Sequence, residues 1–277
     1  MSVRDGVLSR LLRVEQSPVL VRAWEPAPAR VQLLAEPVDP AAVSAPRSLP
    51  VAPSQAAGPA QLRLALERMR FALGVDDDLG EVYRRFRRDP LLGPLLRRRP
   101  WLRPRRRPWA WEALAWAVVK QLIETERAAV IQRRIVGRWG SRLDRDRGAL
   151  RDVPGAETIA GRAPAELASM DLSPGRSIAL RAVAREIAAG RVSPGDPTAD
   201  ARLLAIPEVG PWTVQCLGLF GRGDPDSLPA GDLIYLKLVG RLVGLGRRAT
   251  VEEVEEFYAP YEPFRSLAGL WTIGLYR

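Results

Sequence analysis

The chain has 277 residues, 47% of them hydrophobic and 27% charged, with no histidine and a single cysteine, Cys216. That balance suits a globular protein of one large or two modest domains, and it excludes an internal disulfide framework, a Ser-His-Asp triad and metal sites built on histidine or clustered cysteine, so that a metalloenzyme here would rest on carboxylates alone. The formal net charge is +10, carried almost wholly by arginine since lysine occurs only at Lys120 and Lys237, and it suits a polyanionic partner because a guanidinium binds phosphate bidentately.

A coding bias toward high GC accounts for arginine in place of lysine, but less well for the excess of cations over acids. The N-terminal stretch MSVRDGVLSRLL lacks the long apolar segment of a secretory signal, and no apolar run approaches the roughly 18 residues of a membrane span. A soluble, cytoplasmic protein is expected.

Residues 7–38 alternate in short apolar segments, VLSRLLRV, PVLVRAWE and ARVQLLAEPV, each bounded by Pro, Ser or Asp. They predict three short strands of a small antiparallel sheet. Residues 37–61 are dense in Pro, Ala and Ser and predict a loop or linker, because each proline removes a backbone donor. From about Gln61 the periodicity is helical. QLRLALERMRFALG sets Leu62, Leu64, Leu66, Met69, Phe71 and Leu73 close to one broad face, with Gly74 as the stop. DLGEVYRRFRRD predicts a short helix. RRRPWLRPRRRP, at 97–108, reads as a basic connector, either a solvated loop or a phosphate contact aided by Trp101.

WAWEALAWAVVKQLI is apolar on most of its surface, as a helix buried within a domain is. TERAAVIQRRIVGRWG predicts a second helix, capped by Thr125 and ending near Gly137 or Gly140. Short helical pieces around GAETIAG and PAELASM lead to SPGRSIALRAVAREIAAG. That segment predicts an amphipathic helix with Ser173 as cap, Pro174 in the first turn and Gly190 as stop. PTADARLLAI follows, then a hairpin, then helices at 232–244, about 250–259 and 264–275. The sum is a predominantly α chain with a small N-terminal antiparallel β part, an α+β class. The expected division is 1–60 and 61–277, with 61–108 joining the two and the hairpin at 203–222.

The hairpin AIPEVGPWTVQCL has a local logic. Pro207 ends the preceding helix, since the residue before a proline is driven out of the helical region. Gly210 supplies a position that tolerates positive φ, and Pro211 suits the first turn of the next helix. That helix starts with exposed amides, which together with its dipole make a phosphate site. Asp232 reads locally as the N-cap of LIYLKLVGRL. Leu122 would be core on an apolar helix, but the apolar pattern stops at KQLIET, which makes a surface turn credible. Trp212 and Trp271 read by type as packing residues, Cys216 as a small buried hydrophobe. Lys237, five residues beyond Asp232, is within reach of it or of phosphate.

IPEVGPWT followed by LPAGDL resembles the helix-hairpin-helix base-excision DNA glycosylases, most of all the bacterial DNA-3-methyladenine glycosylase II type. ALERMRFALGVDDDLGEVYRRFRRDPLLGPLL, the helix ending VVKQLI, SPGRSIALRAVAREIAAG, the hairpin and YEPFRSLAGLW occur in that family's order and spacing, over roughly residues 62–277. The N-terminal strands look like a shortened form of the family's sheet domain. The resemblance implies two helical lobes flanking a DNA-binding cleft, and hydrolysis of the N-glycosidic bond of a damaged, alkylated base flipped out of duplex DNA. It implies a monomer associated with the nucleoid. Asp232 matches the family's essential aspartate. Gln121 and Leu122 match the turn that enters the minor groove, with Leu122 as the wedge. Val209, Gly210 and Thr213 fall in the DNA-contacting hairpin, and Trp212 and Trp271 at or near the aromatic walls of the base pocket. Leu204, Ile206 and Val209 fall where family members offer main-chain carbonyls to a monovalent cation, Na or K; no other cofactor is implied.

Strand-cleaving members carry a lysine nucleophile where this chain has Trp212, so the resemblance implies a monofunctional enzyme. A single cysteine excludes the iron–sulfur branch. Three positions depart from the pattern: Glu208 replaces the first hairpin glycine, Cys216 replaces an aromatic, and Ile273 stands at the register of the C-terminal tryptophan, with Trp271 two residues before it. Two alternatives stay open, a glycosylase of the same fold for oxidised or deaminated bases and a damaged-DNA-binding module without turnover.

Overall fold

The computed structural model describes residues 2–44, 55–145 and 148–275. By backbone contacts the chain forms two compact units, each discontinuous in sequence: 1–75 with 118–193, and 76–117 with 194–277.

The first unit opens with β1 (Ser2–Arg4), β2 (Val7–Val14), β3 (Ser17–Ala27) and β4 (Arg30–Pro37), paired antiparallel in sequence order. The three expected segments are β2, β3 and β4; β1 is an addition, too short to show alternation. Leu11, Leu12, Val19, Leu20 and Val21 are buried on β2 and β3, and α1 (Pro59–Leu73) packs against β2, β3 and β4. Its deepest residues are Ala65, Met69 and Ala72 rather than the expected leucines. Leu62, Leu64 and Leu66 are half-buried. Gly74 ends α1 in the left-handed conformation, at φ 66°. Of the expected linker, 45–54 lies outside the described residues, and Val43–Ser44 is a strand, β5. It pairs with β6 (Arg142–Leu143), which pairs with β7 (Leu150–Arg151).

The buried helix of the sequence is α4 (Ala110–Lys120), whose last residues belong to this unit. It is followed by α5 (Thr125–Trp139), α6 (Ala156–Ala160), α7 (Pro164–Ala168) and α8 (Pro174–Ala188). Thr125 is the first residue of α5 and not its cap; Glu124 holds the extended cap backbone and makes no side-chain cap bond. Gly140 ends α5. Ser173 caps α8 as expected, its hydroxyl accepting the Arg176 amide, and Gly190 follows at φ 69°.

The second unit holds α2 (Gly80–Phe86), α3 (Leu92–Arg98), most of α4, α9 (Asp200–Leu204), α10 (Pro211–Leu217), α11 (Leu233–Leu242), α12 (Val251–Tyr258) and α13 (Arg265–Ile273). Its core joins Val82, Leu92, Leu96, Val239, Val254, Tyr258, Leu267 and Trp271. Edge-on aromatic pairs tie Phe86 to Tyr261 and Tyr235 to Tyr258. The buried Tyr258 hydroxyl lies 2.6 Å from that of Thr272. The basic connector is largely engaged within this unit. Arg106 grips Asp77 through two hydrogen bonds of 2.8 Å, and Arg107 reaches the buried Glu112 of α4. Trp101 stays 72% exposed. No helix among the described residues is long and apolar enough to cross a membrane.

Candidate functional site

The hairpin forms where the two prolines require it. α9 stops at Leu204, the Ile206 amide bonds the Leu203 carbonyl and the Val209 amide the Ile206 carbonyl, and Pro211 opens α10. The position that needs positive φ is not Gly210, which is extended at φ −101°, but Glu208, at φ 68°. A left-handed conformation costs a residue with a Cβ about 1–2 kcal/mol, so the glutamate sits where a glycine would rest without strain. Gly210 serves instead as the N-cap, its carbonyl accepting the Thr213 and Val214 amides. Val209 and Thr213 are buried, at 4% and 1% exposure, so neither offers its side chain to a ligand. Leu204 is exposed, Ile206 half-exposed.

Beyond α10 the chain makes a π-helical turn at Gly218–Arg222 and a loop that delivers Asp232. The loop is pinned at several points. Arg265 bonds both carboxylate oxygens of Asp226, and Ser266 donates its hydroxyl to the Pro225 carbonyl at 2.6 Å. Ser227 donates to the Gln215 carbonyl of α10 at 3.1 Å. Burial pushes the Asp226 carboxyl up, and the Arg265 hydrogen bonds outweigh it, leaving the group below the usual carboxylate range. Asp232 then caps α11, its Oδ1 accepting the Ile234 amide at 3.1 Å. A cap of this kind contributes about 1 kcal/mol and fixes one carboxylate oxygen. Asp232 is half-buried.

Trp212 lies beside this loop. A Cβ built on Gly231 would stand 3.9 Å from the Trp212 Cβ and Cδ1 atoms. The Trp212 indole N–H is buried without a hydrogen-bond partner among the described residues, a state that normally calls for an explanation. Close behind, Tyr235 is buried, and burial first, then Tyr258, Asp232 and Cys216, pushes its phenol well up. Trp271 is a different case. It is 1% exposed, sits in the core of the second unit and donates to the Arg99 carbonyl at 3.4 Å. Against the expectation of a base-pocket wall, α13 turns this side chain into the core of the second unit. Ile273, at the register expected for the aromatic, is half-buried.

Gln121 and Leu122 follow the end of α4 in the first unit. Leu122 is fully exposed and left-handed, at φ 56°. An isolated leucine on the surface is ordinary; one held wholly out of the protein in a strained turn is not. Arg176 of α8 lies behind it: 9% exposed, it donates from Nη1 to the Val119 carbonyl of α4 at 2.9 Å. Sequence reasoning missed this residue. Its one signal was an arginine at the third position of a helix read as amphipathic, and nothing in the pattern said it pointed inward.

Three main-chain carbonyls at 204, 206 and 209 are neutral oxygen donors in one short turn, the donor type a hard monovalent cation takes. The Ile206 carbonyl already accepts the Val209 amide and keeps a second lone pair. The residues fit such an ion. Among the described residues no group of acidic, cysteine or histidine side chains is placed to hold a metal.

No protein-family model matches the chain. A probable bifunctional transcriptional activator/DNA repair enzyme AlkA of Mycobacterium tuberculosis is 30% identical over 225 residues, 76% of this chain and 43% of the relative. The chain thus spans less than half the length of that relative. A DNA-3-methyladenine glycosylase of Bacillus subtilis is 27% identical over 207 residues, 72% of this chain and 68% of the relative. Among solved structures, a 3-methyladenine DNA-glycosylase from Archaeoglobus fulgidus superposes with a TM-score of 0.78 over 99% of this chain and 88% of that one, at 20% identity. An 8-oxoguanine glycosylase/lyase of Clostridium acetobutylicum, solved with double-stranded DNA, gives 0.69 over 95% and 86% at 14% identity. Likeness at such low identity speaks to the fold alone. Taken with the N-terminal sheet ahead of the helices, these likenesses show that the chain has the fold of the helix-hairpin-helix DNA glycosylases.

Proposed function

We propose that the protein is a monofunctional DNA glycosylase that hydrolyses the N-glycosidic bond of an alkylated base of the 3-methyladenine type in duplex DNA. The observation that carries this reading is Asp232: a half-buried carboxylate fixed by a helix cap and a pinned loop, with Trp212 beside the preceding Gly231.

Cleavage of the glycosidic bond leaves positive charge on the sugar, and a pre-positioned carboxylate lowers the energy of that state. Asp232 takes that role. A cationic alkylated purine is already a good leaving group, so the reaction needs no general acid, in keeping with a chain that has no histidine. The Trp212 ring offers a face to an electron-poor base through stacking and cation–π attraction. Flipping the nucleotide costs a few kcal/mol of unstacking, and Leu122 offsets part of it by filling the gap, with Gln121 beside it. The backbone of Val209, Gly210 and Thr213 contributes a phosphate grip at the start of α10. A monovalent cation, when bound, would be held by the carbonyls of Leu204, Ile206 and Val209 and would add positive charge there. The hairpin offers no lysine nucleophile, so the product expected is an intact strand with an abasic site. The +10 charge supports duplex DNA as the partner.

The test is base release from methylated duplex DNA by wild type and Asp232→Asn. The asparagine keeps the α11 cap, so the variant should fold as wild type does and lose at least about a hundredfold in rate, the scale of one electrostatic contact in a transition state. A wild type that binds abasic DNA tightly but releases no base would make the chain a damage-binding module. Borohydride trapping of a covalent adduct would refute the monofunctional assignment.

A further inference from the structure

We propose that Arg176 is the positioning residue for Leu122, its buried guanidinium fixing the point at which the exposed turn leaves α4. This rests on the wedge reading given above.

The exposed turn leaves α4 on long main-chain bonds. Its two backbone hydrogen bonds, Gln121 to the Val118 carbonyl and Ile123 to the Lys120 carbonyl, are both 3.4 Å long, at the weak end for N–H to O. Leu122 is strained in the left-handed region and touches nothing that would anchor it, being fully exposed. A wedge must nevertheless resist being pushed back as bases press on it. A fixed point in the protein behind the turn adds that stiffness.

Arg176 supplies a fixed point there. The last carbonyls of a helix have no partner within it, and Arg176 Nη1 takes that of Val119, three residues before Leu122, at 2.9 Å. Its Nε is held in turn by the Ser173 hydroxyl at 3.0 Å. The same hydroxyl caps α8, so the cap of one helix and the end of another are joined through one planar group. The charge also suits its place, a cation at the negative end of the α4 dipole. Burial, then the neighbouring Arg127, pulls the guanidinium below its ordinary range, and Asp171 opposes this. Asp171 is itself hydrogen-bonded by Arg127 at 2.9 Å and paired with Arg134. A lysine would keep the charge but could not bridge Ser173 and Val119 with one rigid fork.

The experiment is a double-mutant cycle of Arg176→Lys and Arg176→Met with Leu122→Ala. Affinity is read on a duplex with an abasic analogue and on the same duplex undamaged. Residues acting as a unit couple strongly, so Arg176→Met should weaken lesion binding about fivefold or more and add little on top of Leu122→Ala. Binding to undamaged duplex should stay within about twofold. Arg176→Lys should fall between wild type and Met, and it carries the cycle alone if the Met variant does not fold. Additive losses, or equal losses on both duplexes, would overturn the assignment while leaving the wedge standing. If Leu122→Ala itself leaves lesion binding unchanged, the wedge reading falls and this inference falls with it.

Discussion

Glu208 shows how one residue can look wrong in the sequence and be explained only by its backbone. The resemblance marked it as a departure from glycine, and the structure places it at φ 68°, where glycine carries no Cβ penalty. Replacing it by glycine removes about 1–2 kcal/mol of strain and gives back roughly 0.5–1 in chain entropy. Glu208→Gly should therefore raise the melting temperature by up to about 2–4 °C for each kcal/mol retained. It should also tighten binding to duplex DNA severalfold at low salt, since a carboxylate leaves the hairpin. Thermal unfolding and salt-resolved binding check both; a lower melting temperature would show that the contacts of the carboxylate outweigh the strain. The N-cap role of Asp232 was legible locally, and its side chain does accept the Ile234 amide. The two tryptophans were not separable in the sequence, because the same side chain serves as wall or as core. Trp271 went to the core because it lies on the inward face of α13.

At the scale of elements, α12 carries the clearest electrostatic signature. Thr250 and Glu253 form a reciprocal capping box, with the Thr250 amide bonded to the Glu253 carboxylate at 2.7 Å. Arg247 adds two further hydrogen bonds to the same group, at 2.8 and 2.7 Å. The Arg247 hydrogen bonds first, then the Thr250 amide, hold the Glu253 carboxyl down to about 2, against 4.5 when unperturbed. A value lowered by folding means that the stabilisation is complete above about pH 4.5 and is lost as the pH falls toward 2. Melting curves taken across that window should show Glu253→Gln less sensitive to acid than wild type; parallel acid limbs would remove Glu253 from the account. The long elements were legible because a period of 3.6 or 2 persists over many residues. β5, β6 and β7, two residues each, show no period at all; long-range pairing alone makes them strands. α4 is the instructive positive case: its apolar surface announced burial before any partner was known.

At the scale of the whole molecule, the compact units do not follow chain order. The first needs both 1–75 and 118–193, the second both 76–117 and 194–277. A cut after residue 117 therefore leaves neither fragment with a complete unit. Residues 1–117 and 118–277, expressed separately, should each lack the sharp cooperative unfolding of the full chain. A fragment 118–277 that melts as cooperatively as the whole would contradict this assembly. Composition suggested a break near residue 60 because proline-rich sequence looks like a linker, whereas α1 directly after it packs on the sheet that precedes it.

By itself the sequence determined most of the longer helices, the α-dominated class, the excess of positive charge, and the hairpin with the capping aspartate after it, but not α3. These follow from local rules: periodicity, caps, and the backbone limits of proline and glycine. Only the tertiary structure decided that Glu208 rather than Gly210 turns the hairpin, that Trp271 is core while Trp212 lies beside Gly231, and that a buried arginine bonds the end of α4 before Leu122. The hairpin turn depends on a backbone conformation that two neighbouring positions could have taken, and the other cases on which way a side chain faces among residues far away in sequence; no local pattern carries either.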